Sequence, residues 1–129
     1  MTDLDSAQSV AFVQVTDRER GVAFYRDTLG MMHTNADAFG DAFTFGGGTM
    51  RLTALPDWKP GPHPVIGWEV PDIDATVAAL KAKGVAMTIY EGMGQDAEGI
   101  WRADDGKVAV TWFSDPDGNC LSLSQHQGG

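Results

Sequence analysis

The sequence has little cysteine and few basic side chains, and both shortages narrow the possible functions. Its single cysteine, Cys120, excludes an internal disulfide and a zinc site built from several thiolates. Nine lysines and arginines stand against 18 acidic residues, so the formal net charge is −9. Nucleic-acid binding needs a basic surface, so this charge argues against a nucleic-acid partner. It favours solubility or the attraction of cationic ligands.

Long apolar segments are missing as well. No stretch approaches the ~20 apolar residues of a membrane-spanning helix, and the first five residues, Met-Thr-Asp-Leu-Asp, lack the apolar core of a signal peptide. We therefore expect a cytoplasmic protein without a membrane partner. The composition that is present, 43% apolar and 21% charged residues in a chain of 129, is typical of one globular domain.

The chain contains one internal repeat. In each copy a strand-like run leads to an aspartate that opens a helical pattern, with Asp17 in the first copy and Asp72 in the second. Aspartate is a good N-cap because its carboxylate accepts hydrogen bonds from the first N–H groups of a helix. Gly30 and Gly84 follow the two patterns, where glycine commonly ends a helix.

Strand-like runs surround each helical pattern. Those of the first half are residues 9–15, 31–35, 42–45 and 49–55, and those of the second half are residues 64–70, 86–90, 107–113 and 120–125. The last two runs are joined by the turn Asp-Pro-Asp-Gly-Asn at residues 115–119. The segment 92–106 is rich in acidic residues, and we expect an exposed loop there.

The pattern predicts an α+β fold of two βαβββ modules. Module one covers about residues 8–55, a proline-rich linker covers 56–63, and module two covers about 64–126, all within one domain of residues 1–129. We expect the two sheets to form a curved, cup-shaped mixed sheet with the helices on its outer face. A concave apolar cup of this kind is a usual site for small molecules.

Two motifs resemble signatures of the vicinal-oxygen-chelate superfamily. The segment Phe-Tyr-Arg-Asp-Thr-Leu-Gly at residues 24–30 is similar to its FYxxxLG signature, and the turn at 115–119 is similar to its DPDGN signature. This superfamily contains glyoxalase I, extradiol dioxygenases, fosfomycin-resistance enzymes and bleomycin-resistance proteins. The resemblance covers nearly the whole chain and implies the same two-module fold. Both motifs are structural, so they do not decide the function.

The resemblance also identifies where metal ligands would lie. Metal-dependent members carry inward-facing His, Gln or Glu on the first and last strand of each module. The equivalent positions here are Val10 and Val65 on the first strands, Ser122 on the last strand of module two, and Arg51 or Thr53 on that of module one. These side chains are not the usual ligands of a divalent ion. We therefore expect no metal and no cofactor.

The three histidines do not restore a metal site. His63 lies in the proline-rich linker, His33 is expected on a sheet surface, and His126 is expected to be exposed near the end of the chain. An off-pattern pair of Glu69 and His63 is the alternative. We expect Cys120 to be a buried, inert thiol rather than a nucleophile.

Strand alternation predicts an apolar cup floor with one amide, one carboxylate and several hydroxyl groups. Trp101 is expected in a loop, at the mouth of the cup or at a dimer contact, Trp68 beneath the helix, and either Trp112 or Phe113 inside. Glu69 is a weak candidate for a catalytic base, the alternative being a solvated or arginine-paired carboxylate. The ligand-binding candidates are Val10, Phe12, Gln14, Arg51, Thr53, Val65, Glu69, Trp101, Trp112 and Ser122.

Three functions remain open. The first is a small-molecule-binding protein, similar to glyoxalases and bleomycin-resistance proteins, that lacks the usual metal ligands and holds a planar or cationic ligand between aromatic side chains. The alternative is a metal-dependent lyase or isomerase of the glyoxalase kind, or a ring-cleaving dioxygenase. The second alternative is a metal-free enzyme that uses Glu69. We also expect a homodimer, because the resemblance implies paired modules and two-fold association is the commonest oligomer.

Overall fold

The computed structural model describes residues 3–127. The chain divides into two units, Met1–Lys59 and Pro60–Gly129, called unit 1 and unit 2. The boundary between them falls inside the proline-rich linker. Within the described residues the strands are β1 (Ser9–Val15), β2 (Met32–Ala36), β3 (Asp41–Phe45), β4 (Gly48–Ala54), β5 (Pro64–Glu69), β6 (Trp101–Arg102), β7 (Val108–Ser114) and β8 (Cys120–His126). The two α-helices are α1 (Arg18–Ala23) and α2 (Ile73–Ala82).

Unit 1 is a four-stranded sheet with its helix on one face. The strand order is β1-β4-β3-β2, in which β1 and β4 are parallel and the other neighbours are antiparallel. The Asp17 carboxylate caps α1 by accepting a 3.1 Å hydrogen bond from the N–H of Arg20. The helix continues as a π-helical turn over Phe24–Thr28, which holds Tyr25 at 0% exposure in the core. Gly30 ends this segment with a φ of +73°.

Unit 2 repeats this arrangement. Its strand order is β5-β8-β7-β6, with β5 and β8 parallel. Asp72 caps α2 through a 3.1 Å hydrogen bond from the N–H of Ala75, and Gly84 follows with a φ of +90°. The apolar side of α2 packs Ile73, Val77 and Leu80 into the core, as its spacing predicts. The predicted α+β class with two βαβββ modules is therefore confirmed.

The turn at residues 115–119 owes its shape to one buried carboxylate. Asp115, 5% exposed, accepts 2.9 Å hydrogen bonds from the backbone N–H groups of Asp117 and Asn119 on Oδ1. Its Oδ2 accepts a 2.8 Å hydrogen bond from the side-chain amide of Asn119, which is fully buried. Gly118 supplies the positive φ of +88° that the turn needs. The motif therefore sets the entry of β8, as a structural element should.

The outer edge of the unit 2 sheet differs from the expectation. Residues 86–90 form only one isolated bridge, between Met87 and Phe113, and the other half of β7 pairs with β6 instead. The segment 92–106 is also not a plain exposed loop, because Ile100 is 1% exposed. The side-chain amide of Gln95 folds the segment inward: it donates to the carbonyls of Thr88 (2.9 Å) and Gly99 (2.7 Å).

Within residues 3–127, the helices lack the length and apolar composition that a membrane crossing requires.

Candidate functional site

One face of the unit 2 sheet carries α2 and the other is open. Gln125 of β8 marks the helix-bearing face, since its Oε1 accepts a 2.7 Å hydrogen bond from the N–H of Ile73 at the start of α2. Leu121, on the same face of β8, is 0% exposed. Side chains alternate along a strand, so the opposite face of β8 presents a second set. Those open-face residues of β8 are Ser122, Ser124 and His126.

Val110 and Ser124 lie opposite each other near the centre of this open face, and we call this pair the floor. Val110 of β7 lies between Ser124 of β8 and Trp101 of β6, and Ser124 lies opposite Glu69 of β5. Trp112 follows two residues after Val110 and therefore shares its face. The floor thus has tryptophans on one side and a carboxylate on the other. We call the following residues the aromatic face: Glu69, Trp101, Val110, Trp112, Ser122, Ser124 and His126.

Among the tryptophans of unit 2, Trp101 takes a different position from the one expected. Trp101 lies in β6 and not in a loop, and it is half-buried. Of the two adjacent aromatics in β7, Trp112 faces the open side, whereas Phe113 is buried at 1% exposure. Trp68 lies on the helix-bearing face as predicted, with its ring 6.5 Å from that of Phe113.

Tyr90 adds an aromatic ring that the sequence did not single out. Its ring meets Trp112 edge to face, with centroids 5.4 Å apart and planes at 84°. Its hydroxyl lies 3.7 Å from the sulfur of Cys120. Burial, and then the contact with Cys120, raise the pKa of Tyr90, so the phenol keeps its proton at neutral pH. Cys120 itself is buried at 8% exposure.

Glu69 lies on the aromatic face, but not in the setting that a desolvated base needs. Its side chain is 64% exposed and therefore solvated. The carboxylate lies within hydrogen-bond distance of Nδ1 of His126, which is 52% exposed, and not of an arginine. His63, the partner considered from the sequence, is exposed in the segment before β5. His126 is therefore exposed as expected, and in addition it contacts Glu69.

Five further candidates lie in unit 1, on the face of its sheet that does not carry α1. Register places Val10, Phe12 and Gln14 of β1 beside Thr49, Arg51 and Thr53 of β4. Thr53 donates a 2.7 Å hydrogen bond to the side-chain oxygen of Gln14. Phe12 is 65% exposed and Val10 is 48% exposed, so this face has an open apolar strip on the edge strand.

The structure therefore collects the ligand-binding candidates into two sets, one in each unit. Four of them, Glu69, Trp101, Trp112 and Ser122, belong to the aromatic face of unit 2. Val65 lies at the irregular start of β5, where the register shifts between Pro64 and Ile66, and is 36% exposed. The unit 1 set is Val10, Phe12, Gln14, Arg51 and Thr53.

A charged cluster in unit 1 was not foreseen. Asp41, 4% exposed, pairs with Nε of Arg18 and accepts a 2.8 Å contact from Nε2 of His33. Arg18 also donates to the backbone carbonyls of Asp37 and Gly40, at 2.5 and 2.6 Å. His33 packs its ring 5.0 Å from Phe43, so it faces the core side and not the open sheet surface. The cluster joins α1 to the β2–β3 hairpin.

The residues present do not fit a divalent metal ion. Among residues 3–127 there is no group of three or more His, Cys, Asp or Glu side chains arranged to hold one. The positions where the superfamily carries ligands hold valines, a serine, and an arginine or threonine, which offer no carboxylate or imidazole donor. Glu69 and His126 together supply only two such donors.

A sequence model of the Glyoxalase/Bleomycin resistance protein/Dioxygenase superfamily matches residues 7–123, and the chain therefore belongs to this superfamily. The resemblance stated from the two motifs is confirmed. No curated protein sequence matches the chain significantly.

Solved structures carry the same fold at low sequence identity. A glyoxalase-family protein from Bacillus anthracis matches with a TM-score of 0.74 and 18% identity, over 98% of this chain and 100% of that one. A superfamily member from Sphaerobacter thermophilus matches with a TM-score of 0.74 and 24% identity, over 96% and 100%. The fosfomycin resistance protein FosX from Listeria monocytogenes matches with a TM-score of 0.73 and 16% identity, over 95% of both chains. At these identities the likeness establishes the fold alone.

Proposed function

We propose that this protein binds a planar small molecule on the aromatic face of unit 2. The observation that carries the proposal is the register that sets Trp101 and Trp112 on one face of the sheet, next to the floor of Val110 and Ser124. Aromatic rings that frame an apolar floor bind planar ligands by stacking and edge contacts. Tyr90, edge-on to Trp112, holds that ring in a fixed orientation.

Charge favours a cationic ligand over an anionic one. The exposed carboxylate of Glu69 lies at the border of the floor, opposite Ser124. The whole chain carries a net charge of −9, which attracts cations and repels anions. Tryptophan faces add to this preference, because they attract cations by about 0.5–2 kcal/mol. We propose a planar aromatic cation as the ligand class.

The proposal differs from the metal-dependent activities of the superfamily in its chemistry. Lyase, isomerase and ring-cleaving reactions of the glyoxalase and extradiol kinds need a divalent ion, and the donor set described above does not fit one. The binding face instead offers rings, hydroxyl groups and one carboxylate. Shape and stacking therefore decide what binds.

We also propose a homodimer formed through the apolar strip of unit 1. Val10 and Phe12 are exposed side by side on β1, which is an edge strand of its sheet. An open apolar strip on a sheet face is typical of a surface that another chain covers. A second copy presents the same strip, so an isologous two-fold contact satisfies both chains.

Calorimetric titration with proflavine, a planar tricyclic cation, tests the ligand proposal. We expect binding in the micromolar range, and weaker binding of acridine, the neutral ring system of the same shape. Trp112→Ala is expected to weaken proflavine binding about three- to tenfold, since one aromatic contact contributes about 0.5–1.5 kcal/mol. Trp58→Ala, a tryptophan outside the aromatic face, is the matched control. Equal binding by the two variants, or no heat of binding at all, would overturn the proposal.

A further inference from the structure

We propose that His126 and Glu69 form a general-base dyad on the aromatic face, with Nε2 of His126 as the proton acceptor. The inference rests on the proposed binding of a planar ligand to this face. It deepens that function by assigning a reaction class, the removal of a proton from a carbon atom of the bound ligand. His126 is the catalytic residue, and Glu69 is a positioning residue.

Two strands bring the pair together. Glu69 is the last residue of β5 and lies opposite Ser124 of β8, and His126 is the last residue of β8. Because side chains alternate along a strand, Ser124 and His126 share one face, and Glu69 meets the histidine from the neighbouring strand. The contact joins Nδ1 of His126 to Oε1 of Glu69.

The contact decides which ring nitrogen can accept a proton. An ionised carboxylate has no proton to donate, so Nδ1 of His126 donates to Oε1 of Glu69. In the neutral ring this leaves the lone pair on Nε2. The carboxylate also fixes the orientation of the ring and stabilises the imidazolium that forms when Nε2 takes a proton.

The dyad lies where a ligand on the floor would meet it. Ser124 has Val110 on one side and Glu69 on the other, and His126 is two residues further along the same strand face. Trp101 lies opposite Val110 and Trp112 lies opposite Ser122, so Ser124 lies between the tryptophans and His126. A planar ligand stacked against the tryptophans therefore extends its edge over Ser124 toward His126. The half-exposed imidazole is open to such a ligand.

The reaction class follows from these groups. A base beside aromatic side chains suits a planar substrate with an acidic C–H bond. When the base removes the proton, the electron pair of that bond forms a new π bond and a neighbouring leaving group is expelled. The probe 5-nitrobenzisoxazole has this chemistry. Nε2 takes the proton as the C–H bond breaks, the electron pair forms the C≡N bond, and the N–O bond breaks to release a phenolate. The imidazolium then returns its proton to water, so no oxidant, reductant or co-reactant is needed.

Steady-state rates of phenolate release test the dyad. We expect saturation kinetics for the wild type and a fall in kcat of about 100-fold for His126→Ala, the lower end of what a general base contributes. Added imidazole should restore part of the His126→Ala rate. Glu69→Gln should lower kcat about tenfold with KM almost unchanged, since the neutral probe gains no binding from the Glu69 charge and only the ring loses its orienting charge. If Glu69 had a purely structural role, its substitution would not lower kcat while leaving KM almost unchanged.

Matched controls exist elsewhere in unit 2. His63→Ala removes another exposed histidine, and Glu98→Gln removes another exposed carboxylate with an ion pair, 2.6 Å from Lys81. Both variants should keep the wild-type rate. His126→Gln is the second variant if His126→Ala unfolds in circular dichroism.

Binding of the unreactive analogue 5-nitroindazole, measured by calorimetry, separates the two proposals. If the analogue binds but His126→Ala and His126→Gln keep the wild-type kcat, the dyad is wrong and the binding function stands. If the analogue binds and the wild type shows no rate above buffer, the dyad is also wrong. If proflavine binds but the analogue does not, the dyad has no ligand to act on and is overturned, while the binding function stands; if neither binds, both proposals fail.

Discussion

At the scale of single residues, Asp41 is the polar group of unit 1 whose substitution we expect to reduce stability. Its buried carboxylate pairs with both Arg18 and His33. Arg18 also donates hydrogen bonds to the backbone carbonyls of Asp37 and Gly40. A buried charge pair stabilises little on balance, but removing one partner leaves the other uncompensated.

We therefore expect Asp41→Asn to lower the free energy of unfolding by about 2–3 kcal/mol. Urea denaturation followed by circular dichroism measures it. Asp57→Asn, an exposed carboxylate in the linker region, is the control and should change stability by less than about 0.5 kcal/mol. Equal stabilities for the two variants would show that the Asp41 cluster does not stabilise the contact between α1 and the β2–β3 hairpin.

The residues that sequence analysis found and missed differ in how far along the chain their partners lie. The N-caps Asp17 and Asp72 each bond a residue three positions away, and local spacing was enough to predict them. Arg18 and Asp41 are 23 residues apart, and Glu69 and His126 are 57 apart. A single sequence holds no local signal for such pairs, because they meet only after the strands have paired.

At the scale of elements, Gly99 is the position on which the outer edge of unit 2 depends. Its φ is +92°, and a Cβ built there would lie 2.7 Å from Cβ of Met87. The backbone must approach Met87 closely for the Gln95 amide to reach both Gly99 and Thr88. No side chain other than hydrogen fits that space without displacement.

We expect Gly99→Ala to destabilise the protein by about 2–4 kcal/mol, the sum of positive-φ strain and overpacking. Gly94→Ala is the matched control: its φ is +79°, but nothing lies within 4 Å of the added Cβ, so it should cost only about 1 kcal/mol. Thermal melting of both variants measures the difference. If they melt together, the close approach to Met87 does not constrain this edge.

Most elements could be predicted because their signals are local. The alternation of Ser9–Val15 and the turn at residues 115–119 specify β1 and the entry of β8 without knowledge of any partner. The edge beside β7 could not be predicted, since two separate segments share it. Residues 86–90 look like a strand but form one bridge, and Trp101–Arg102 pair although acidic, glycine-containing sequence surrounds them.

At the scale of the whole molecule, the proposed homodimer depends on the apolar strip of unit 1. Val10 and Phe12 are exposed on an edge strand, and the net charge of −9 otherwise keeps molecules apart. A contact that forms despite this charge needs apolar burial to offset the repulsion. Phe12, with 65% of its surface exposed, is the largest contributor on that strand.

We expect light scattering to give the mass of a dimer for the wild type and of a monomer for Phe12→Asp, because a charge at the centre of an apolar contact opposes its burial. Phe39→Asp is the control, since Phe39 is 81% exposed in the β2–β3 loop, outside the strip. A monomeric wild type, or a dimeric Phe12→Asp protein, contradicts the proposed contact.

Family and fold class could be predicted for the whole chain because the repeat spans both halves and each half carries one of the two motifs. The candidate site could be predicted only in part. Strand alternation predicted the face of Ser122 and left open which of Trp112 and Phe113 shares it. The position of Trp101 and the partner of Glu69 depended on which segments form the edge and how β5 and β8 align.

The interrupted outer edge of unit 2 has a consequence for solubility. A long, regular edge strand exposes an unbroken row of backbone donors and acceptors on which a foreign extended chain can add and start a fibril. Here β6 has only two residues, and the neighbouring segment contributes a single bridge before the chain turns away. An incoming strand therefore finds no continuous row of backbone groups to pair with. The interrupted edge, which could not be predicted from the sequence, protects this side of the protein from amyloid-like growth.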